Sequence, residues 1–306
     1  MKKNALVTGA SGSIGRYVTL ALADQGWTVT GLGHGQWSKA EQARYGLADW
    51  HAGDVSLKNL QSLSICPDWV IHCAGGASVG ASVQAPHQDF DRTVTSTAAI
   101  LAYMRAHCPD AILVYPSSAA VYGIADNFPI QENSHPRPAS PYGVHKKLAE
   151  DIIAEYSKLF GLKSVLVRLF SVYGEGFRKQ LLWEACRRIQ ANETAFFGTG
   201  DETRDWIHVS DAASLLTTAA EYAEVSCPVV NGAFGEAVSV REILSELFRL
   251  MNRSDQPQFS GSVRAGDPLH YHASIERAKA WGWQPKVHWK YGCERYVSWF
   301  CKETPA

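Results

Sequence analysis

The chain has 306 residues, 46% hydrophobic and 19% charged, enough to bury one large α/β core or two unequal domains. Its formal net charge of -1 excludes a general attraction to nucleic acid or anionic lipid, so neither partner is expected and any basic residue that matters acts locally. Seven cysteines without a Cys-x-x-Cys pair exclude a disulfide framework and a zinc cluster; reduced thiols in a cytoplasmic protein without a metal are expected.

Met1-Lys2-Lys3 opens like a targeting segment, but the apolar run behind it stops at Thr8-Gly9 and no long apolar stretch follows. Apolar, β-rich runs then recur at Ala5–Thr8, Thr28–Leu32, Trp69–His72, Ile112–Tyr115 and Ser164–Leu169, separated by longer segments of helical period. This alternation predicts a parallel sheet with helices on both faces, and places ligands at the carboxyl ends of its strands. From about Ser171 the strands shorten, tryptophan and charged residues thicken, and helix-like runs stand at Val209–Ala223 and Ser239–Leu250. The reading divides the chain into a dinucleotide-binding part, 1–170, and a smaller cap, 171–306, whose segments are free to interleave. The Pro-rich stretch from Pro129 to Pro141 reads as a loop at the active site.

Between the first strand and a helix starting near Ser13, the stretch "LVTGASGSIGR" spaces Gly9, Gly12 and Gly15 at three-residue intervals. Gly9 suits a tight turn, Gly12 lets main chain approach a pyrophosphate, and Gly15 lets helix pack on strand. The N–H groups around Ser13 and Ile14 supply donors at the positive end of the helix dipole. A dinucleotide is the ligand this pattern fits. Asp54 and Val55 in "HAGDV" follow a third strand, and Ala74-Gly75-Gly76 follow a fourth, where adenine and ribose need an acceptor and open backbone.

In "SPYGVHKKLAE", Tyr142 and Lys146 are four apart and project from one helix face. An ammonium beside a phenol favours phenolate, so such a tyrosine can exchange a proton near neutral pH. The same spacing also arises on solvated helix faces. Upstream, "VYPSSAAVYG" ends a fifth strand at Ser117-Ser118 and brings a hydroxyl, that of Ser118, to the same sheet edge.

With these motifs in place, the chain resembles the extended short-chain dehydrogenases/reductases that act on nucleotide-activated sugars, a group of 4-epimerases, 4,6-dehydratases and 4-keto reductases. The resemblance covers nearly the whole length and rests on Gly9-x-x-Gly12-x-x-Gly15, "SSAAVYG", "PYGVHK", "VRLFSVYGEG" and "GTGDETRDWIHVSD". It implies a Rossmann-type doubly wound parallel sheet with a smaller C-terminal substrate-binding α/β domain. It further implies Ser118, Tyr142 and Lys146 as the catalytic set, with Tyr142 and Lys146 also touching the cofactor. Arg204 and Arg264 would contact the diphosphate of a nucleotide-diphosphate sugar, and Asp267 its ribose. Guanidinium groups suit diphosphate through paired donors and permanent charge. Arg178 and Lys179, after "YGEGF", form a further basic pair facing the expected cleft. In similar proteins, helices corresponding to Pro86–His107 and Val144–Phe160 build a two-fold interface, so a homodimer is expected.

The departures from the family pattern carry information. Where dehydratases have an Asp-Glu pair, this chain has Ala119-Ala120, which cannot transfer protons, and dehydration is disfavoured. Thr93 and Ser171 stand in place of two familiar asparagines. Gly33 occupies the place of the acid that binds an NAD ribose, and Arg16, His34 and Lys39 are available to surround a 2′-phosphate. NADP is therefore the expected cofactor, with NAD as the alternative. The sequence reads first as a reductase of a nucleotide-linked 4-keto(-6-deoxy) sugar with Tyr142 as proton donor. The alternative is a 4-epimerase with tightly bound NAD. A dinucleotide-binding regulator without turnover is the third reading, and intact Tyr142 and Lys146 argue against it.

Overall fold

Apolar runs buried on both sides are what a parallel sheet between two helical layers requires, and all five appear as strands with ends shifted by at most three residues. The computed structural model describes residues 3–262 and 269–304. In chain order the strands are β1 (Asn4–Thr8), β2 (Thr28–Gly33), β3 (Asp49–Ala52), β4 (Trp69–His72), β5 (Ile112–Ser118), β6 (Lys163–Leu169), β7 (Ser171–Tyr173), β8 (Ala195–Phe196), β9 (Thr203–His208), β10 (Val229–Gly232), β11 (Ala237–Ser239) and β12 (Gln258–Phe259). Seven of them form a sheet in the order β10-β6-β5-β4-β1-β2-β3, every pair parallel. The fold is Rossmann-type and doubly wound, as the family resemblance implies, with the parallel sheet that the alternation of elements predicts.

Side-chain alternation sorts each strand between two cores. Ala5 and Val7 face the helices Ser13–Asp24 and Val209–Ala220, whereas Leu6 faces Ser96–His107 and Pro141–Phe160. Trp69 and Ile71 split from Val70 in the same way, and Val165 and Val167 from Leu166. Val209–Ala220 buries Ala212, Ala213, Ala219 and Ala220 together with Leu215 and Leu216, so small side chains let it lie close to the sheet. It and β10 both come from the second half of the chain.

The rest of that half forms a second core, in which Leu182, Ile189, Ile243, Leu247, Tyr296 and Phe300 pack three helices beside the small sheet β11-β9-β7. A two-stranded sheet, β12-β8, lies at its edge. Among the described residues no helix is long and apolar enough to cross a membrane.

A buried cation breaks the apolar pattern of the main sheet. Arg168 of β6 is buried and donates to both oxygens of Glu150 on the helix Pro141–Phe160, at 3.0 Å from Nε and 2.7 Å from Nη2. Its guanidinium also lies 4.7 Å from the Tyr122 ring centroid and donates to the Glu132 carbonyl. Removing one member of such a pair strands the other charge in a low dielectric. Glu150→Ala is expected to lower the unfolding free energy by about 3–5 kcal/mol in denaturant titration, without a comparable loss for an exposed pair such as Lys147–Asp151.

Candidate active site

The strand order reverses at β1, which has β2 on one side and β4 on the other, and such a switch point opens a crevice at the carboxyl ends of the strands. The turn Gly9–Gly12 lines it. A Cβ on Gly15 would sit 2.1 Å from the Gly9 carbonyl oxygen, and one on Gly9 would come within 2.8 Å of the Ala74 nitrogen. Helix and strand therefore meet at backbone distance. The helix Ser13–Asp24 starts at Gly12 with no side-chain cap and no acidic residue in its first turn, which leaves its N–H donors for a ligand. A cleft of about 1740 Å³ extends from this turn across the molecule. Ser13, Ile14, Asp54 and Val55 line it, and so do Ala74, Gly75 and Gly76.

The basic groups expected around a 2′-phosphate do not gather. His34 lines the cleft, but its Nε2 lies 2.9 Å from the Asp54 carboxylate. Arg16 turns away: Nη2 donates to the Ser11 carbonyl at 2.7 Å, and its guanidinium lies 5.4 Å from the Tyr45 ring in a neighbouring pocket of about 380 Å³. Lys39 donates to Gln42 within its own short helix. At Gly33 a Cβ would approach the Trp50 ring to 3.1 Å and Gly9 Cα to 3.4 Å, so the indole crowds the place where an acid was looked for.

Further along the cleft, Ser118 at the end of β5 faces the first turns of the helix Pro141–Phe160. Ser140 caps that helix by accepting from the Gly143 N–H at 3.2 Å, and the Tyr142 N–H donates to Ser82 Oγ at 3.0 Å. Tyr142 and Lys146 both line the cleft. Lys146 Nζ donates to the Pro116 carbonyl at 2.9 Å and lies 4.7 Å from the Tyr115 ring. Spacing alone suggests a phenol lowered by its ammonium neighbour; in the fold, burial is the larger effect on both. It pushes the Tyr142 phenol above its usual value, a rise opposed by the Ser118 hydroxyl and reinforced by Asp89. It pulls the Lys146 amine down to about 8, against the pull of Cys73, Asp89 and Glu150. Burial thus shifts both groups toward their neutral forms before any ligand enters, while a value of about 8 leaves Lys146 an ammonium near neutral pH.

At the far end of the cleft, Arg204 lies beside the Tyr271 ring at 5.8 Å and donates to the Thr203 and Leu269 carbonyls. Lys179 lines both the cleft and the neighbouring pocket, whereas Arg178 faces only the latter and pairs with Glu303. Arg264 and Asp267 lie outside the described residues. Ala119 and Ala120 line the wall beside Ser118, Ser171 faces the cleft, and Thr93 Oγ1 accepts the Gly76 N–H at 2.9 Å. Sequence reading missed Ser82, Cys73, Asp205 and the pair Asp89–His145.

A glycine cradle at a strand-order switch, with Ser, Tyr and Lys converging along the same cleft, defines a dinucleotide-dependent enzyme of the short-chain dehydrogenase/reductase type. Residues 5–231 match the NAD dependent epimerase/dehydratase family, and the chain belongs to it. It is 31% identical to a putative UDP-glucose 4-epimerase of Methanocaldococcus jannaschii, over 96% of this chain and 97% of that protein. The UDP-glucose 4-epimerase of Thermus thermophilus, solved in complex with NAD, superposes with a TM-score of 0.87 at 27% identity over 97% of this chain and 98% of that one. The UDP-glucuronic acid 4-epimerase of Bacillus cereus, solved with UDP-glucuronic acid and NAD, gives a TM-score of 0.88 at 25% identity over 98% and 100%.

The closeness of Gly15 to Gly9 makes a direct test of the cradle. Gly15→Ala is expected to weaken dinucleotide binding at least about tenfold in a fluorescence titration, since the added methyl must push the helix off the turn.

Proposed function

We propose that this protein is a nucleotide-sugar 4-epimerase working with bound NAD. The named 4-epimerases among its relatives favour this reading over the NADPH-dependent 4-keto reductase that the sequence put first. The observation that carries it is the convergence of Ser118, Tyr142 and Lys146 on the cleft that holds the glycine cradle. UDP-sugars are the substrates the relatives' names point to.

The residues present fit NAD. The uncapped helix end at Gly12 to Ile14 suits its pyrophosphate, and Lys146 and Tyr142, further along the same cleft, would hold its nicotinamide ribose. At the adenosine end, the Asp54 carboxylate beside His34 would accept a ribose hydroxyl and repel a 2′-phosphate, which favours NAD over NADP. When bound, NAD supplies a hydride acceptor that returns the hydride in the same turnover.

Tyr142 Oη takes the proton of the sugar C4 hydroxyl and gives it back to the same oxygen after the sugar has presented its other face. Ser118 Oγ hydrogen-bonds that oxygen, and the Lys146 ammonium steadies the phenolate form of Tyr142 that accepts the proton. Ala119 and Ala120 hold no acid or base for removing water. Arg204 and Lys179, which line the cleft, would meet the substrate diphosphate, and Arg264 for the diphosphate and Asp267 for the ribose stay as sequence-based candidates.

We also propose a homodimer. Phe90, Val144 and Leu148 are 38%, 40% and 39% exposed on the helices Pro86–Phe90 and Pro141–Phe160, where a two-fold helix interface would cover them.

The purified protein is expected to release NAD on denaturation and to interconvert a pair of UDP-sugars differing at C4 with no added cofactor. Tyr142→Phe is expected to lose at least about 100-fold in turnover and keep its dinucleotide. Stoichiometric consumption of added NADPH with a nucleotide-linked 4-keto sugar would restore the reductase. Light scattering is expected to give twice the chain mass, and Val144→Glu combined with Leu148→Glu to reduce it to one.

A further inference from the structure

Beneath the Tyr142–Lys146 turn lies a carboxylate that spacing does not announce. Asp89, on the helix Pro86–Phe90, is only 5% exposed, and its Oδ2 accepts from His145 Nδ1 at 2.6 Å. His145, whose side chain is 12% exposed, immediately precedes Lys146 and meets the Phe90 ring edge-on at 5.4 Å. The other carboxylate oxygen reaches the cleft wall: a Cβ on Gly76 would fall 2.0 Å from Asp89 Oδ1, so this glycine makes room for the acid. The preceding residue, Gly75, brings that wall to Lys146, for a Cβ there would lie 3.6 Å from Nζ.

The groups facing Lys146 can be taken element by element. From β4, His72 is driven down to about 3 by burial and the Cys73 thiol up to about 12, so both are neutral. From β5, Tyr115 presents its ring, and burial drives its phenol well above the usual value. On the same helix Tyr142 is raised as well, while Glu150 is held through both oxygens by Arg168 of β6. Among the described residues, Asp89 remains as an acid near Lys146 whose ion-pair partner is His145 rather than an arginine or lysine.

We propose that Asp89, tied to His145 and admitted by Gly76, is a positioning residue: it seats the Tyr142–Lys146 turn and is the counter-charge that keeps the buried Lys146 side chain an ammonium. A buried ammonium without a nearby negative charge sheds its proton, and the phenol beside it then has no cation to steady its charged form. The inference rests on the roles given above to Tyr142 and Lys146.

The test is a pH titration of the Lys146 Cε resonance in isotope-labelled protein without substrate, assigned by its loss in Lys146→Met. Asp89→Asn, which can still accept from His145, is expected to move the midpoint down by about half a pH unit or more. His145→Gln, which keeps a donor and leaves the carboxylate in place, is expected not to lower it. Should Asp89→Asn fail to fold, Asp89→Asn with His145→Gln, an amide pair that keeps a hydrogen bond and lacks the charge, must lower the midpoint by the same amount. An unchanged midpoint on loss of the Asp89 charge overturns the proposal, as does an equal fall in His145→Gln, which is the signature of packing alone. Because no turnover is read, this result is separate from whether the protein epimerises sugars.

Discussion

The contact on which the molecule depends is the one between the helix Ser13–Asp24 and the turn that precedes it. With no room for a Cβ at Gly15 or Gly9, the helix axis is drawn against β1 and against the loop after β4. This approach aims the free N–H groups of the first helical turn at the crevice, and it lets Val18 and Leu22 reach the core shared with Val209–Ala220. Binding geometry and folding energy are thus set by the same two missing side chains.

Burial governs the chemistry along the rest of the cleft. The floor beneath Lys146 is a neutral hydrogen-bonded chain: Thr8 Oγ1 and His72 Nδ1 are 2.6 Å apart, Ser96 Oγ is 3.2 Å from His72 Nε2, and the Ala74 N–H donates to Thr8 Oγ1 at 3.3 Å. It links β1, β4 and the helix Ser96–His107 and spends no net charge under the amine. In so dry a place a single carboxylate has long reach, which is why Asp89, on a different helix from Lys146, bears on its charge.

The cap is joined to this machinery through another buried acid. Asp205 of β9 accepts from the Phe234 N–H at 2.8 Å, from Gly235 at 3.1 Å and from Ala273 at 3.1 Å. Burial pushes it up to about 6 although these donors pull the other way. Its neighbour Arg204 reaches the cleft from the same strand, so the clamp that closes the cap also aims its cation.

The sequence by itself determined five of the seven strands of the main sheet, the glycine cradle and the four-residue step from Tyr142 to Lys146. Each of these is written in local terms: two-residue alternation in strands, three-residue glycine steps, four-residue spacing on a helix. What only the tertiary structure decided are contacts between residues far apart in the chain. His145 finds Asp89 across 56 positions, and Arg168 finds Glu150 on a different element. β10 returns from the second half to extend the sheet beside β6, while Arg16 turns from the expected phosphate site toward Tyr45. No spacing announces such pairs, because burial and charge compensation are properties of the packed interior, and there a side chain's neighbours are chosen by layer and register.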